Sequence, residues 1–340
     1  DVAMIHCKLG NAEQAEKMFT EIEQRFSPPP GVLELIHSQR AIGCSIPLQA
    51  NWAVAVTRGY DRNVNQGASN PLFTRGEGAD QQEYELRAEF LPKSDQYTSI
   101  AADFQQDLNQ RGSVGFLQFN GRRHDALRQY DTASLFAGVD QPLRFGNWNL
   151  RGTTLLGAVT MGGKLFQKHA IVQMRVTPPL PLPPSLQLNL FAGLAHLDYH
   201  ASPVFDSDTF ESRVQMQYRG ERLHAQASLG YAWDNALNGR PGGDRNGFVG
   251  TVNLRAPLWR TVIGEFSLAR QSWRGETSYS LGIIDQRRVQ ATHMARAALV
   301  LPVARYHSLQ LEVRAVHNNE NISIFQYNNR QVQLSWQWQQ

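Results

Sequence analysis

His196 and His200 stand four residues apart, a spacing that would place two imidazoles on one metal ion if the segment were helical. Their surroundings alternate between apolar and polar residues, and on a strand the pair would sit about 13 Å apart, too far for one ion. The glycine-rich run G-G-D-R-N-G at 242–247 joins two alternating segments and opens no helix, so it lacks the amide-lined helix end that holds a phosphate. D-S-D at 206–208 offers carboxylates suited to calcium or to cations held by lipopolysaccharide, but too few for a site alone. P-P-L-P-L-P-P at 178–184 suits a rigid turn better than a polyproline ligand. No G-x-S-x-G motif or Ser/His/Asp grouping is present, so no catalytic residue, metal site or cofactor is assigned.

Cys7 and Cys44 are the only cysteines among the 340 residues. In an oxidising periplasm they would bridge and pin the end of a helical segment. Two unpaired thiols in a helical core are the alternative reading.

The elements that would position such groups fall into two kinds. Residues 1–46 carry helical spacing: Ala15, Met18, Phe19, Ile22 and Phe26 share one stripe, and Pro28 to Pro30 end it. A further helix is predicted from about Val32 to Ala41. Gly10, Ala15, Phe19 and the prolines from position 28 resemble the second half of a tetratricopeptide repeat. One repeat cannot bury its own face, so this segment is expected to be the C-terminal part of a periplasmic repeat domain. A helical plug or cap is the alternative.

Beyond Pro47 the period becomes two. Trp52, Val54 and Val56 alternate with smaller residues. Tyr84, Leu86, Ala88 and Phe90 oppose Glu85, Arg87 and Glu89. Val214 and Met216 oppose Arg213 and Gln215. Leu309, Leu311 and Val313 oppose Glu312 and Arg314. At the C-terminal end, Val332, Leu334, Trp336 and Trp338 share one face and Gln331, Gln333, Ser335 and Gln337 the other. An apolar stripe with interfacial aromatics, opposite a polar face, fits a strand of a transmembrane β-barrel. Glu85, Arg87, Glu89, Arg213, Gln215, Glu312 and Arg314 are the expected lumen-facing residues. Negative mean hydropathy is compatible with this, because only alternate residues meet lipid.

Short Pro- or Gly-bearing connections, at 91–95, 141–147, 177–184, 219–221, 256–260 and 301–306, alternate with longer polar stretches at 62–80, 105–130, 158–164, 199–207, 233–246, 273–286 and 317–324. Short turns alternating with long loops match the two ends of an outer-membrane barrel. Ser113 to Phe119 also alternates, and counting it gives fifteen strands. With the helical segment and the last strand's end both expected in the periplasm the number must be even, so S-V-G-F-L-Q-F is assigned to the loop 105–130 or to strand extensions. The expectation is a mainly β protein: a fourteen-stranded antiparallel barrel over 47–340, its first and last strands paired.

The first strand runs into Gly59, Tyr60, Asp61, Asn63, Val64 and Asn65, the pattern G-Y-D-x-N-V-N. Asp and Asn here would also serve simply as turn formers. A truncated tetratricopeptide segment, this motif and an aromatic closing strand together resemble the surface lipoprotein assembly modulator family. One departure is that Gln339 and Gln340 follow the usual terminal aromatic. The resemblance implies an outer-membrane barrel that helps move lipoproteins to the cell surface. Its implied partners are outer-membrane lipids, a lipoprotein client and the barrel-assembly machinery. Similar repeat-plus-barrel proteins export exopolysaccharide, which is the alternative function, with polysaccharide as the client. A barrel enzyme and a passive porin are weaker readings.

A net charge of +3 spread along the chain offers no basic patch for nucleic acid. No apolar run approaches the roughly 18 residues of a membrane helix. Asp1 follows no signal segment, so the chain is expected to be a mature form or a fragment of an exported protein.

Overall fold

The computed structural model describes residues 2–8, 11–26, 28–43, 48–75 and 82–340. The chain divides into two compact units, one comprising residues 1–50 with 105–115, the other 51–104 with 116–340.

In the first unit, α1 (Val2–Lys8), α2 (Ala12–Phe26) and α3 (Pro30–Ile42) supply a small apolar core. Ala3, Cys7, Ala15, Phe19 and Ile36 are buried in it, with Met4, Met18 and Ile22 against them. The predicted stripe therefore packs except at Phe26, which is 69% exposed. Pro30 sits in the first turn of α3, where its missing N–H is no loss, and Gly43 ends that helix at φ +73°. Arg40 on α3 clamps α2, its Nε donating at 3.0 Å to Glu16 and its guanidinium at 2.8 Å to Glu23. The Arg40 hydrogen bond holds the Glu16 carboxyl below its ordinary value. Cys7 is disulfide-bonded; Cys44 lies outside the described residues.

The barrel starts with β1 (Ala50–Asp61). Two short strands, β2 (Leu72–Arg75) and β3 (Gln82–Glu85), form a separate ribbon. Then follow β4 (Asp95–Asp107), β5 (Val114–His124), β6 (Thr132–Phe145), β7 (Trp148–Met161), β8 (Lys164–Thr177), β9 (Leu186–Tyr199) and β10 (Ser207–Arg219). The last six are β11 (His224–Ala236), β12 (Arg245–Trp259), β13 (Val262–Ser280), β14 (Ile284–Ala304), β15 (His307–Glu320) and β16 (Tyr327–Gln339). Excluding β2 and β3, fourteen strands close into an antiparallel barrel with β1 hydrogen-bonded to β16. Ala53 lies opposite Gln339, Thr57 opposite Ser335 and Asp61 opposite Gln331. Closure gives every barrel strand two neighbours for its backbone N–H and C=O groups, the condition for crossing a membrane with strands.

Alternation sorts the side chains. On β15, Leu311 is 47% exposed and its neighbour Glu312 4%. Val332, Leu334 and Trp336 are likewise exposed on β16, where Ser335 between them is buried. Side chains pointing into a narrow cylinder crowd one another and those pointing out splay apart. The exposed apolar set is therefore the outer face, and an outer face of this kind belongs in lipid.

The strand number agrees with the expectation, but two segments exchange places. Ser113 to Phe119 is not loop: β5 is a barrel strand. The reason is the tight connection before it, where Leu108 N–H bonds Ser113 O and Asn109 Oδ1 accepts from Arg111 and Ser113 N–H. Such a side-chain-closed turn needs no long loop. Conversely, Tyr84 to Phe90 is no barrel strand, because β3 pairs only with β2 and Ala88–Phe90 turns into a 3-10 helix. Glu85, Arg87 and Glu89 thus do not stand on the barrel wall. The expected loops at 158–164 and 273–286 are largely strand ended by tight turns, with Gly162, Gly163 and Gly282 at positive φ.

Candidate functional site

Polar groups converge in the barrel's interior and around the motif that closes off its first strand. Gly59 on β1 faces inward directly opposite Gln333 of β16. The ring of Tyr97, from β4, lies over Gly59 and its hydroxyl donates to Gln333 Oε1 at 2.6 Å. Asp61, next inward on β1, accepts from Gln331 Nε2 at 2.7 Å and from Asn63 N–H at 2.9 Å. Arg122 on β5 approaches Asp61 at 3.8 Å while its guanidinium stacks 4.1 Å from the Tyr97 ring centre.

Asn63 is only 1% exposed. Its amide donates to Gly67 O and Asn328 O, and its carbonyl oxygen accepts from Gly67 N–H at 2.7 Å. Asn65 accepts from Lys93 N–H and donates to Leu91 O, both at 2.9 Å. Val64 N–H bonds Lys93 O. Tyr60 points outward. The geometry gives G-Y-D-x-N-V-N a local job: it terminates β1 and ties both ends of the excursion 62–94 to the barrel rim.

Four of the sequence-expected lumen residues sit on the inner face. Arg213 and Gln215 are on β10, Glu312 and Arg314 on β15. They belong to two arcs of different character. Along β12 to β15, Arg296 bridges Glu265 at 3.1 Å and Glu312 at 2.7 Å, with Arg255 and Arg314 each 3.8 Å from one of those carboxylates. Here charge is compensated. An inner cavity of about 320 Å³ adjoins this arc, lined in part by Gln217, Gln226, Asn253, Arg255, Glu265 and Arg296.

The neighbouring arc, from β7 to β10, is richer in cations. Arg151 on β7 faces Arg175 on β8, which faces Phe191 on β9, which faces Arg213 on β10. Asp140 holds Arg151 at 2.5 Å and Glu211 holds Arg213 at 2.7 Å, whereas no described carboxylate lies within ion-pair range of Arg175. The Arg213 guanidinium sits 5.6 Å from the Phe191 ring centre. Arginines flanking an aromatic can bind carboxylates or phosphates by fork-shaped hydrogen bonds and stack on sugar or ring faces. Arg151, Arg175 and Phe191 escaped the sequence reading; inward parity on two further strands was the available signal.

At the rim opposite the end of β16, Asp234 accepts from Arg240 at 2.8 Å and from Arg245 at 2.5 Å. This explains G-G-D-R-N-G and the residues before it: Gly242 and Gly243 adopt positive φ so that Arg240 can turn back onto Asp234. His196 bonds Asp208, across the strand pair, at 2.7 Å.

No family model and no curated protein matches the sequence. Solved structures that it resembles are outer-membrane barrels. The anion-selective porin of Comamonas acidovorans aligns at 11% identity and TM-score 0.44, covering 86% of this chain and 99% of the porin. The outer-membrane channel DcaP of Acinetobacter baumannii aligns at 11% identity and TM-score 0.47, covering 86% and 97%. A bacterial polysaccharide outer-membrane secretin aligns at 10% identity and TM-score 0.42, covering 86% and 98%. At such identities none of them says what passes through, or binds to, this chain.

Proposed function

We propose that the chain is an outer-membrane translocation pore that passes an exported client, with the helical segment on the periplasmic side as its receiving surface. The observation that carries the reading is an inner wall of hydrogen-bonding and charged side chains on a closed, outwardly apolar cylinder. Such a wall would exchange hydrogen bonds with a hydrophilic client in transit. The lipoprotein client rests on the G-Y-D-x-N-V-N resemblance and on the tetratricopeptide-like helices, which would grip an extended chain. Because Asp61, Asn63 and Asn65 are engaged in anchoring, the motif does not itself present a client-binding group. The test is surface display of lipoproteins in a deletion strain complemented with the full chain. Display and exopolysaccharide release both unchanged by deletion would refute the pore.

A second reading is favoured by the Arg151–Arg175–Phe191–Arg213 row, whose cations and aromatic suit an acidic polysaccharide. Arg175→Glu would then reduce release of an acidic polymer several-fold and leave lipoprotein display intact. The reverse outcome would remove the polysaccharide reading.

A further inference from the structure

A groove of about 1380 Å³ crosses the outer face between two rows of outward side chains. One row runs Leu188, Met216, Ala227, Val252, Leu268, Ala295, Ala315 and Arg330, each directly opposite the next. The other ends in Arg270, His293, His317 and Asn328, again paired one to the next. Because the rows run across tilted strands, they climb the wall. Leu188 stands near the start of β9, on the end that carries Ala50, whereas Asn328 stands near the start of β16, at the opposite rim. The low end is aliphatic. The high end gathers Arg62, Arg270, Arg330, His293 and His317.

Most arginines on the inner wall and rim differ from those there, although Arg175 also has no carboxylate within ion-pair range among the described residues. Arg151, Arg213, Arg240, Arg245, Arg288 and Arg296 all pair with carboxylates. Among the described residues none pairs with Arg62, Arg270 or Arg330, although they stand on the same barrel. Unpaired arginines on the lipid side, at the top of an aliphatic trough, lack their anion. From β13 to β1 they span four strand spacings, roughly 19 Å, which exceeds the reach of one phosphate group.

We propose that this groove binds a membrane glycolipid bearing at least two phosphates, its acyl chains along Leu188 to Leu268 and its phosphates on Arg270, Arg330 and Arg62. Bidentate Arg–phosphate bonds would fix the head, and apolar contact the chains. The small residues Ala227, Gly250, Ala295 and Ala315 leave the space: a Cβ on Gly250 would meet nothing nearer than 3.8 Å. The inference needs only that the barrel stands in a membrane, and holds whichever client the lumen serves.

The experiment is native mass spectrometry of the full chain in detergent with a bis-phosphorylated glucosamine lipid of the lipid A class. Its dephosphorylated form, a monophosphate phosphatidylglycerol and phosphatidylcholine are run alongside. The bis-phosphorylated lipid should be retained at least tenfold better than the other three. Arg270→Gln/Arg330→Gln should erase that preference, and Gly250→Leu, which fills the trough and keeps the cations, should lower retention of all four. Folding is checked by heat-modifiable migration, and if the arginine double variant fails it, Gly250→Leu and the wild-type ranking decide. Equal retention of the dephosphorylated lipid, equal retention of phosphatidylglycerol, unchanged binding by Gly250→Leu, or a second copy of the chain in place of lipid would each overturn the proposal.

Discussion

Tyr97 reaches from β4 across Gly59 of β1 to hydrogen-bond Gln333 of β16, so one side chain spans three adjacent strands at the point where the cylinder closes. The reach is possible because position 59 has no Cβ: one placed there would lie 2.5 Å from Tyr97 Cζ. Gly59→Ala should therefore push the ring aside and lower barrel stability by about 1–3 kcal/mol, the usual cost of overpacking. Tyr97→Phe should cost less, about 1 kcal/mol for the lost hydrogen bond and the unpaired Gln333. The midpoint of heat-modifiable migration measures both. Equal midpoints for Gly59→Ala and wild type would show that the ring is not held there.

Asn63→Ala should release the excursion 62–94 from the rim while the barrel stays closed. Three hydrogen bonds of its buried side chain disappear, leaving Gly67 N–H and two carbonyls unsatisfied, at about 1–3 kcal/mol each for such groups. Protease added to intact cells or folded protein should cut between residues 66 and 92 in the variant much faster than in wild type. An unchanged cutting rate would contradict the anchoring role.

Trp336→Asp/Trp338→Asp should fail to assemble in the membrane while α2 and α3 still fold. Both positions face outward on the closing strand, and lipid exposure of charge near the bilayer is costly in a depth-dependent manner. Normal outer-membrane amounts of this variant would place the strand elsewhere than against lipid.

The Glu16–Arg40 pair should make the helical unit sensitive to acid. Glu16's folded value is depressed below its ordinary 4.5, so its contribution is complete above that value and is lost as pH falls through the lower, folded one. Both side chains are partly exposed, so the effect is modest, about 0.2–1 kcal/mol. Calorimetry between pH 5 and pH 3 should show a drop in the helical transition for wild type that is smaller in Arg40→Gln. Parallel curves for the two proteins would dismiss the pair.

Inward–outward sorting was legible because period-two alternation is imposed by the lipid and lumen on nearly every strand, as at Leu309 to Arg314 and Val332 to Trp338. The strand number agrees because one real strand left out and one ribbon segment kept in offset each other. Alternation alone also misled. Tyr84 to Phe90 alternates, yet Pro92 and the Asn65 anchor hold its chain as an excursion, and nothing in seven residues distinguishes a ribbon from a wall. Ser113 to Phe119 alternates as well, and the even-number argument removes it only because Tyr84 to Phe90 takes a place among the strands. The Asn109–Ser113 turn, with Gly112 at φ +84°, was the missed signal. The Arg151–Arg175–Phe191–Arg213 row was invisible for another reason: cross-strand neighbours far apart in sequence become neighbours only once register is known.

The Thr57–Ser335 hydroxyl pair joins residues 278 positions apart at 2.8 Å. A cylinder sealed by its first and last strands has no finished partial form. While the chain is incomplete, β1 and the newest strand each present an unpaired edge, and open edges recruit other strands. Loop closure over almost the entire chain must precede the contacts that reward it, so closure is expected to be a late event with high contact order. A chain truncated before Tyr327 would keep both edges and expose itself to aggregation or proteolysis. The position of the seam thus makes β16 a completeness check for the barrel: only once that strand is made can the cylinder hide its edges.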